Sequence, residues 1–248
     1  MSKVFIITGA SRGIGRAAAI EAITKFDARV VAVARSSAAL EQLQNDVSKL
    51  NKSDHLEVVV GDVTDEQVVR KTVNVAIDRW GQLDSVIANA GVIEPIATIA
   101  ESPVEGWKKL FDINVFSIVS LIQHALPHIR KSEQGSIISV SSGAALKGYH
   151  GWGAYGSTLA AEEPNVTAIA IRPGVVDTEM QTMIRSSGAE GMKDDHAKFI
   201  ELHREGKLVK PEDPAHVLVA LANQPPKHLS GGFYSWNDEP MKPFNRTQ

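Results

Sequence analysis

Apolar residues along this chain fall into two alternating rhythms. Short, nearly unbroken apolar runs occur at Val4–Thr8, Arg29–Ala34, Leu56–Val60, 85–89, 136–141, 166–171 and 232–236. Between them lie stretches with a helical repeat of apolar positions, at Gly13–Lys25, 37–50, 65–79, 103–130 and 214–223. A strand covered by helices on both faces has no side turned to water, so it reads as a continuous run rather than as alternation. Regular strand–helix succession with right-handed crossovers predicts an α/β fold with a doubly wound parallel sheet of about seven strands. No internal repeat, low-complexity tract or Pro/Gly-rich linker divides the 248 residues, and a single domain over 1–248 is expected.

Composition changes this picture mainly by exclusion. The formal charge of −3 leaves no basic surface for nucleic acid or an acidic membrane. The absence of cysteine removes disulfides, thiolate catalysis and thiolate metal sites together. The amino terminus has no basic segment followed by a long apolar run, and no stretch approaches about 18 uninterrupted apolar residues. A soluble, cytoplasmic protein is expected, in which the N-x-T matches at Asn165 and Asn245 arise by chance. His124 and His128 lie four apart on one helical stretch, but Pro127 sits between them and no third ligand is evident, so no metal site is expected.

The sequence T-G-A-S-R-G-I-G at 8–15 directly follows the first apolar run and directly precedes an alanine-rich helical stretch. Strand, glycine loop and helix in that order form a Rossmann-like site for a nucleotide diphosphate. Gly9, Gly13 and Gly15 omit side chains where backbone turns tightly, approaches a pyrophosphate or packs against the strand. The helix start then offers unpaired N–H groups and the positive end of its dipole to the anion. The second strand ends Val33-Ala34-Arg35-Ser36, without the acidic residue that would accept hydrogen bonds from a free ribose 2′-hydroxyl. Arg12 and Arg35 are two guanidinium groups suited to a 2′-phosphate, which favours NADP(H) over NAD(H).

Several separated signatures together resemble the short-chain dehydrogenase/reductase family over nearly the whole chain. They are the glycine loop; Gly61-Asp62-Val63; Asn89-Ala90-Gly91; Asn114; Ser139-Val140-Ser141-Ser142; Ala154-Tyr155-Gly156-Ser157-Thr158; and Pro173-Gly174-Val175-Val176-Asp177-Thr178. The ending Tyr-Ser-Trp-Asn-Asp is most similar to fungal members of the benzil and sepiapterin reductase type. The resemblance implies reduction of a ketone or aldehyde, with Asn114, Ser142 and Tyr155 as the catalytic positions. In that chemistry the phenol of Tyr155 gives a proton to the carbonyl oxygen as hydride arrives, Ser142 hydrogen-bonds the same oxygen, and Asn114 steadies a helix and a proton path. The family's spacing of thirteen selects Ser142 over Ser141 and Ser139; Tyr149 is a competing phenol whose neighbours match nothing. The implied cofactor contacts are Gly9, Ser11, Arg12, Gly13, Ile14, Gly15, Arg35, Asp62, Val63, Asn89, Ala90, Gly91, Tyr155, Pro173, Val176 and Thr178. The resemblance implies that Asp62 sits near the adenine, and its other reading is as part of the cap region of the next helix.

One departure bears on activity. The family's Tyr-x-x-x-Lys is here Tyr155-Gly-Ser-Thr-Leu159, so the ammonium that favours the phenolate and holds the cofactor ribose is missing. Lys147 is the one nearby lysine. Tyr155 stands only nine positions before Pro164, where the resemblance implies a full helix, so the lysine-bearing segment is expected to be deleted. Ten helical residues advance about 15 Å, against a sheet depth of about 17–20 Å, so the crossover before the sixth strand should be short or distorted. A naturally shortened isoform, an internal piece missing from the sequence and a catalytically impaired NADP(H)-binding pseudoenzyme all fit. The homo-oligomer usual for the family is in doubt for the same reason. Met180, Met183, Ile184, Met192, Phe199 and Leu202 fall in the region of a substrate lid, at about 179–210; they suit a bulky hydrophobic carbonyl, with Tyr149 and Trp152 at its mouth, or an ordinary helical hairpin over the core.

Overall fold

The computed structural model describes residues 2–145 and 166–246. Seven strands among them form one parallel sheet in the order β3-β2-β1-β4-β5-β6-β7: β1 Val4–Thr8, β2 Arg29–Ala34, β3 Leu56–Val60, β4 Ser85–Ala88, β5 Ser136–Val140, β6 Thr167–Arg172 and β7 Phe233–Ser235. The winding reverses between β1 and β4, where Ile6 is aligned with Val31 on one side and Val86 on the other. In such sheets the reversal leaves a crevice beyond the carboxyl ends of the strands.

The continuous apolar runs follow from burial on both sides. Val4, Phe5, Ile6 and Ile7 of β1 are all fully buried, and alternation of side chains along the strand divides them between two cores. Phe5 and Ile7 pack with Ala18 and Ala22 of helix α1 (Gly13–Lys25), Leu40 and Leu43 of α2 (Ser37–Lys49), and Leu218 of helix Glu212–Asn223. Val4 and Ile6 pack with Val69 and Val73 of α3 (Glu66–Trp80) and Leu121 and Ala125 of α5 (Ser117–Ile129). The doubly wound, single-domain arrangement is therefore the one the apolar pattern predicts.

Local caps set the helix boundaries. Ser36 Oγ accepts the Ala39 N–H at the start of α2, and Asp65 Oδ1 accepts the Gln67 N–H at 2.8 Å at the start of α3. Gly81, at φ 74°, ends α3 in the left-handed conformation that a residue without Cβ adopts at least cost. The helical stretch 103–130 differs from expectation: α4 (Val104–Phe111) and α5 are joined by a π-helical turn at Asp112–Phe116. The combined run Val104–Ile129 has the length and apolarity to cross a bilayer, yet Leu121, Ala125 and Ile129 bury one face of it in the second core.

At the amino-terminal edge of the sheet, the buried Asp84 carboxylate accepts from Val4 N–H (2.8 Å), Gln82 Nε2 (2.9 Å) and Ser132 Oγ (2.6 Å). It thereby joins β1, β4 and the turn before β5, leaving the opposite edge open for the site. Tyr155, Leu159, Lys147, Tyr149, Trp152 and the shortened crossover fall within 146–165 and lie outside the described residues.

Candidate active site

A cleft of ≈ 790 Å³ opens beyond the carboxyl ends of the strands. Its lining includes Gly9, Ser11, Arg12, Gly13, Ile14, Arg35, Asp62, Val63, Asn89, Ala90, Gly91, Asn114, Ser142, Pro173, Val176 and Thr178, so residues scattered through the sequence signatures converge on one surface. Gly15 is the described candidate that does not line it.

The glycine loop is shaped for close approach of a ligand to backbone. Gly9 and Gly13 have φ of 65° and 53°, where side chains are disfavoured. Arg12 precedes the first turn of α1 without a side-chain cap, which leaves the helix N–H groups open to an anion. Gly15 serves packing instead: a Cβ there would stand 2.4 Å from the Gly9 carbonyl oxygen and 2.4 Å from Asn89 Nδ2. Asn89 braces the same loop, donating from Nδ2 to the carbonyls of Thr8 (2.9 Å) and Gly9 (3.3 Å). Thr8 Oγ1 accepts from the N–H groups of Asn89 (3.1 Å) and Ala90 (3.0 Å). Thr8 thus does work that no reading of the glycines alone reveals.

Arg12 and Arg35 stand at one end of the cleft, each next to a carboxylate. Arg12 pairs with Glu179, and Arg35 Nη1 lies 3.8 Å from Asp62 Oδ2. Both guanidinium groups are more than half exposed, so these pairs are weak and can yield to a phosphate. Asp62 lines the cleft, and its Oδ1 accepts from the N–H (3.0 Å) and hydroxyl (2.9 Å) of Thr64 in the turn before α3, whose cap is Asp65 instead.

At the other end Asn114 is buried within the π turn, where its Oδ1 accepts from Val92 N–H and its Nδ2 donates to Val92 O, both at 2.9 Å. The extra residue of a π turn rotates this side chain toward the segment after β4, and both amide functions are spent holding it. Ser142 Oγ accepts the Ala144 N–H at 3.2 Å, and among the described residues its hydroxyl proton is uncommitted. Ser141 is buried at 3 % exposure, with its Oγ unpartnered among the described residues. The spacing-based choice of Ser142 thus falls on the less buried of two adjacent hydroxyls.

Beside Ser142 the wall becomes apolar. Ile93, Ala144, Ile184, Met192 and Phe199 form a third buried cluster, joined by Met180 and Met183. These residues come largely from helices Glu179–Ser187 and Asp194–Arg204, and Val175 and Val209 tie the ends of that segment together through a 2.8 Å backbone hydrogen bond. Arg172 also lines the cleft and was not singled out from the sequence; its signal was a cation closing an otherwise apolar strand, immediately before Pro173.

Comparison with known proteins matches this arrangement. The family model described as short chain dehydrogenase matches residues 3–188. An uncharacterized oxidoreductase of Schizosaccharomyces pombe is 46% identical, covering 94% of this chain and 96% of its own length. A benzil reductase ((S)-benzoin forming) of Saccharomyces cerevisiae is 39% identical over 264 residues, covering 98% of this chain and 99% of its own. That alignment is longer than this chain's 248 residues, so the yeast enzyme has positions with no counterpart here. The crystal structure of another Saccharomyces cerevisiae short chain dehydrogenase/reductase superposes with a TM-score of 0.90 at 39% identity, covering 99% of this chain and 100% of that one.

Proposed function

The chain belongs to the short-chain dehydrogenase/reductase family of nicotinamide-dependent oxidoreductases, and from that premise we propose that it reduces a ketone or aldehyde to an alcohol with NADPH. The observation that carries this reading is the convergence of the glycine loop, Asn114 and Ser142 on one cleft whose far wall is apolar. The cofactor suits that cleft because a positive-φ glycine backbone and an uncapped helix start form a cradle for its pyrophosphate. Arg12 and Arg35, without an acid ending β2, support a 2′-phosphate and hence NADP(H). When bound, the nicotinamide supplies the hydride.

The protein's own groups supply the rest. Ser142 donates a hydrogen bond to the carbonyl oxygen, and Tyr155, placed by the family resemblance, delivers the proton that completes the alcohol. Negative charge builds on that oxygen during the reaction, so fixed donors lower the barrier. Asn114 holds the segment after β4 in place. The 179–210 segment covers a bulky apolar substrate, and the similarity to a benzil reductase supports an aromatic diketone as the first one to try. A cytoplasmic location accords with the absence of cysteine.

A second reading has its own observation. Leu159 stands where the resemblance calls for lysine, and the benzil reductase alignment leaves unmatched positions, so an NADP(H)-binding protein with impaired turnover is the alternative. Calorimetric titration with NADPH followed by a single-turnover assay with an aromatic diketone separates the two. Binding with loss of reduced-cofactor absorbance establishes the reductase. Binding without that loss, not repaired by Leu159→Lys, establishes the impaired form, and no binding at all removes both.

A further inference from the structure

Gln181 and Ile184 are the two buried residues of helix Glu179–Ser187, and both line the cleft. Ile184 belongs to the apolar cluster there, whereas Gln181 brings a primary amide into the same wall at 4 % exposure. A buried amide is costly unless its donors and its acceptor are used. Its oxygen is used: Oε1 accepts from Arg185 Nη1 at 3.0 Å, and Arg185 is itself steadied by Nη2, which donates to Thr182 Oγ1 at 3.2 Å. A guanidinium only donates, so the amide oxygen must face Arg185 and the NH2 group must face away from it. Among the described residues no acceptor meets Nε2. The group is not sealed in either, because the enclosed side-chain atoms without a partner among the described residues are Ser141 Oγ and Asn245 Oδ1. Nε2 therefore opens onto space that a ligand can enter, and the space that Gln181 lines is the cleft.

The surrounding wall defines the chemistry of that ligand. Ile184, one turn after Gln181, packs in one cluster with Ala144, which follows Ser142 by two residues. An apolar body resting on this cluster has its reacting carbonyl toward Ser142 and another part toward Gln181. One fixed polar group in an apolar wall orients a ligand by pairing with one complementary atom. We propose that Gln181 is a specificity-determining residue whose Nε2 donates to a hydrogen-bond acceptor on the substrate, remote from the carbonyl that is reduced, so that apolar ketones or aldehydes carrying such an acceptor are preferred over their counterparts without one. This rests on the carbonyl-reductase reading above. Discrimination follows because a substrate lacking the acceptor displaces water from the amide and leaves its donor unpaired.

The test uses two pairs of ketones that differ within each pair by one ring atom: acetophenone with 4-acetylpyridine, and 4-acetylbiphenyl with 4-(4-pyridyl)acetophenone. Each ring nitrogen adds an acceptor at the far end of the body, and the two pairs place it at two distances from the carbonyl. Intrinsic reactivity differs within a pair, so the readout is the kcat/KM ratio of the aza compound to its partner, in each variant relative to the wild type at neutral pH. Gln181→Leu removes the amide. Gln181→Glu keeps an oxygen for Arg185 while removing the donor, and it decides the matter if Gln181→Leu does not fold. Both should lower the ratio about tenfold in at least one pair. An unchanged ratio in both pairs overturns the proposal; a weakened NADPH Kd alongside it assigns the amide to the coenzyme instead. If the wild type shows no turnover, the reductase reading fails separately, and titration of the same pairs in the presence of NADP⁺ replaces kinetics. Tighter binding of an aza compound, removed by Gln181→Glu, upholds the inference; a preference absent from the wild type, or retained in the variant, refutes it.

Discussion

Gly13 and Gly15 are two positions apart in the same loop and serve different physical purposes. Gly13 has φ 53° and faces the cleft, with only the Thr178 methyl 3.2 Å from where a Cβ would be. Gly15 faces the interior, where a Cβ would meet a backbone carbonyl at 2.4 Å. Gly15→Ala should therefore cost global stability, about 2–4 kcal/mol, because backbone rather than a flexible side chain must move. Gly13→Ala should weaken NADPH binding about tenfold or more while costing only about 1–2 kcal/mol of strain. Melting curves with and without NADPH check both; equal melting losses would remove the distinction.

Lys3 gives a residue-scale expectation for pH. Burial holds its ammonium below the usual lysine range, and attraction to Asp84 offsets only part of that. The unfolded chain then binds more protons than the folded one between the lowered value and the ordinary 10.5, so this group's contribution makes stability rise with pH through that window. Below the window the full penalty is present. Lys3→Met should flatten the rise in a urea-unfolding series measured at increasing alkaline pH, relative to the wild type, and an unchanged slope would count against the assignment.

Among the elements, the junction of α4 and α5 departs furthest from the local apolar pattern. A uniform helical repeat over 103–130 predicts one α-helix, and nothing in local periodicity distinguishes Asn114 from a polar residue on a solvent face. Tertiary packing does: the π turn buries Asn114, and Val92 accepts its N–H and supplies its donor. Asn114→Ala should strand both Val92 backbone groups and cost about 2–3 kcal/mol, read as a lower urea midpoint. With Gly91 and Ile93 on either side of Val92 lining the cleft, single-turnover reduction should also slow. Caps, by contrast, are written locally. Asp65 and Gly81 bound α3 by hydrogen bonds and backbone conformation that involve only near neighbours, so its limits agree with the apolar repeat to within one residue.

At the scale of the molecule, the carboxyl-terminal region is fastened to the first helix through charge. Glu21 of α1 is 6 % exposed and accepts from His216 Nδ1 at 2.6 Å and Arg246 Nη2 at 2.8 Å. The Phe26 and His216 rings lie 5.4 Å apart at the same contact. Removing the buried central carboxylate leaves a partly buried imidazole and a guanidinium without their acceptor, so Glu21→Ala should destabilise by about 3 kcal/mol. Arg246→Ala should cost about 1 kcal/mol or less, since that side chain keeps access to water. Paired thermal melts test the ordering, and equal costs would contradict it.

The sequence by itself determined which segments are strands and helices, because burial on both faces of a parallel sheet writes continuous apolar runs and helix packing writes a 3.6-residue repeat into adjacent residues. It determined the glycine loop and the family signatures, each of which depends on short spacing. Only the tertiary structure decided that Gly15 packs while Gly13 faces the cleft, that Asn89 and Thr8 brace the loop, and that Arg12 meets Glu179. Those contacts join elements tens or more residues apart, so their chemistry is set by sheet order and by the distances between strand ends. No local pattern of side chains encodes such distances.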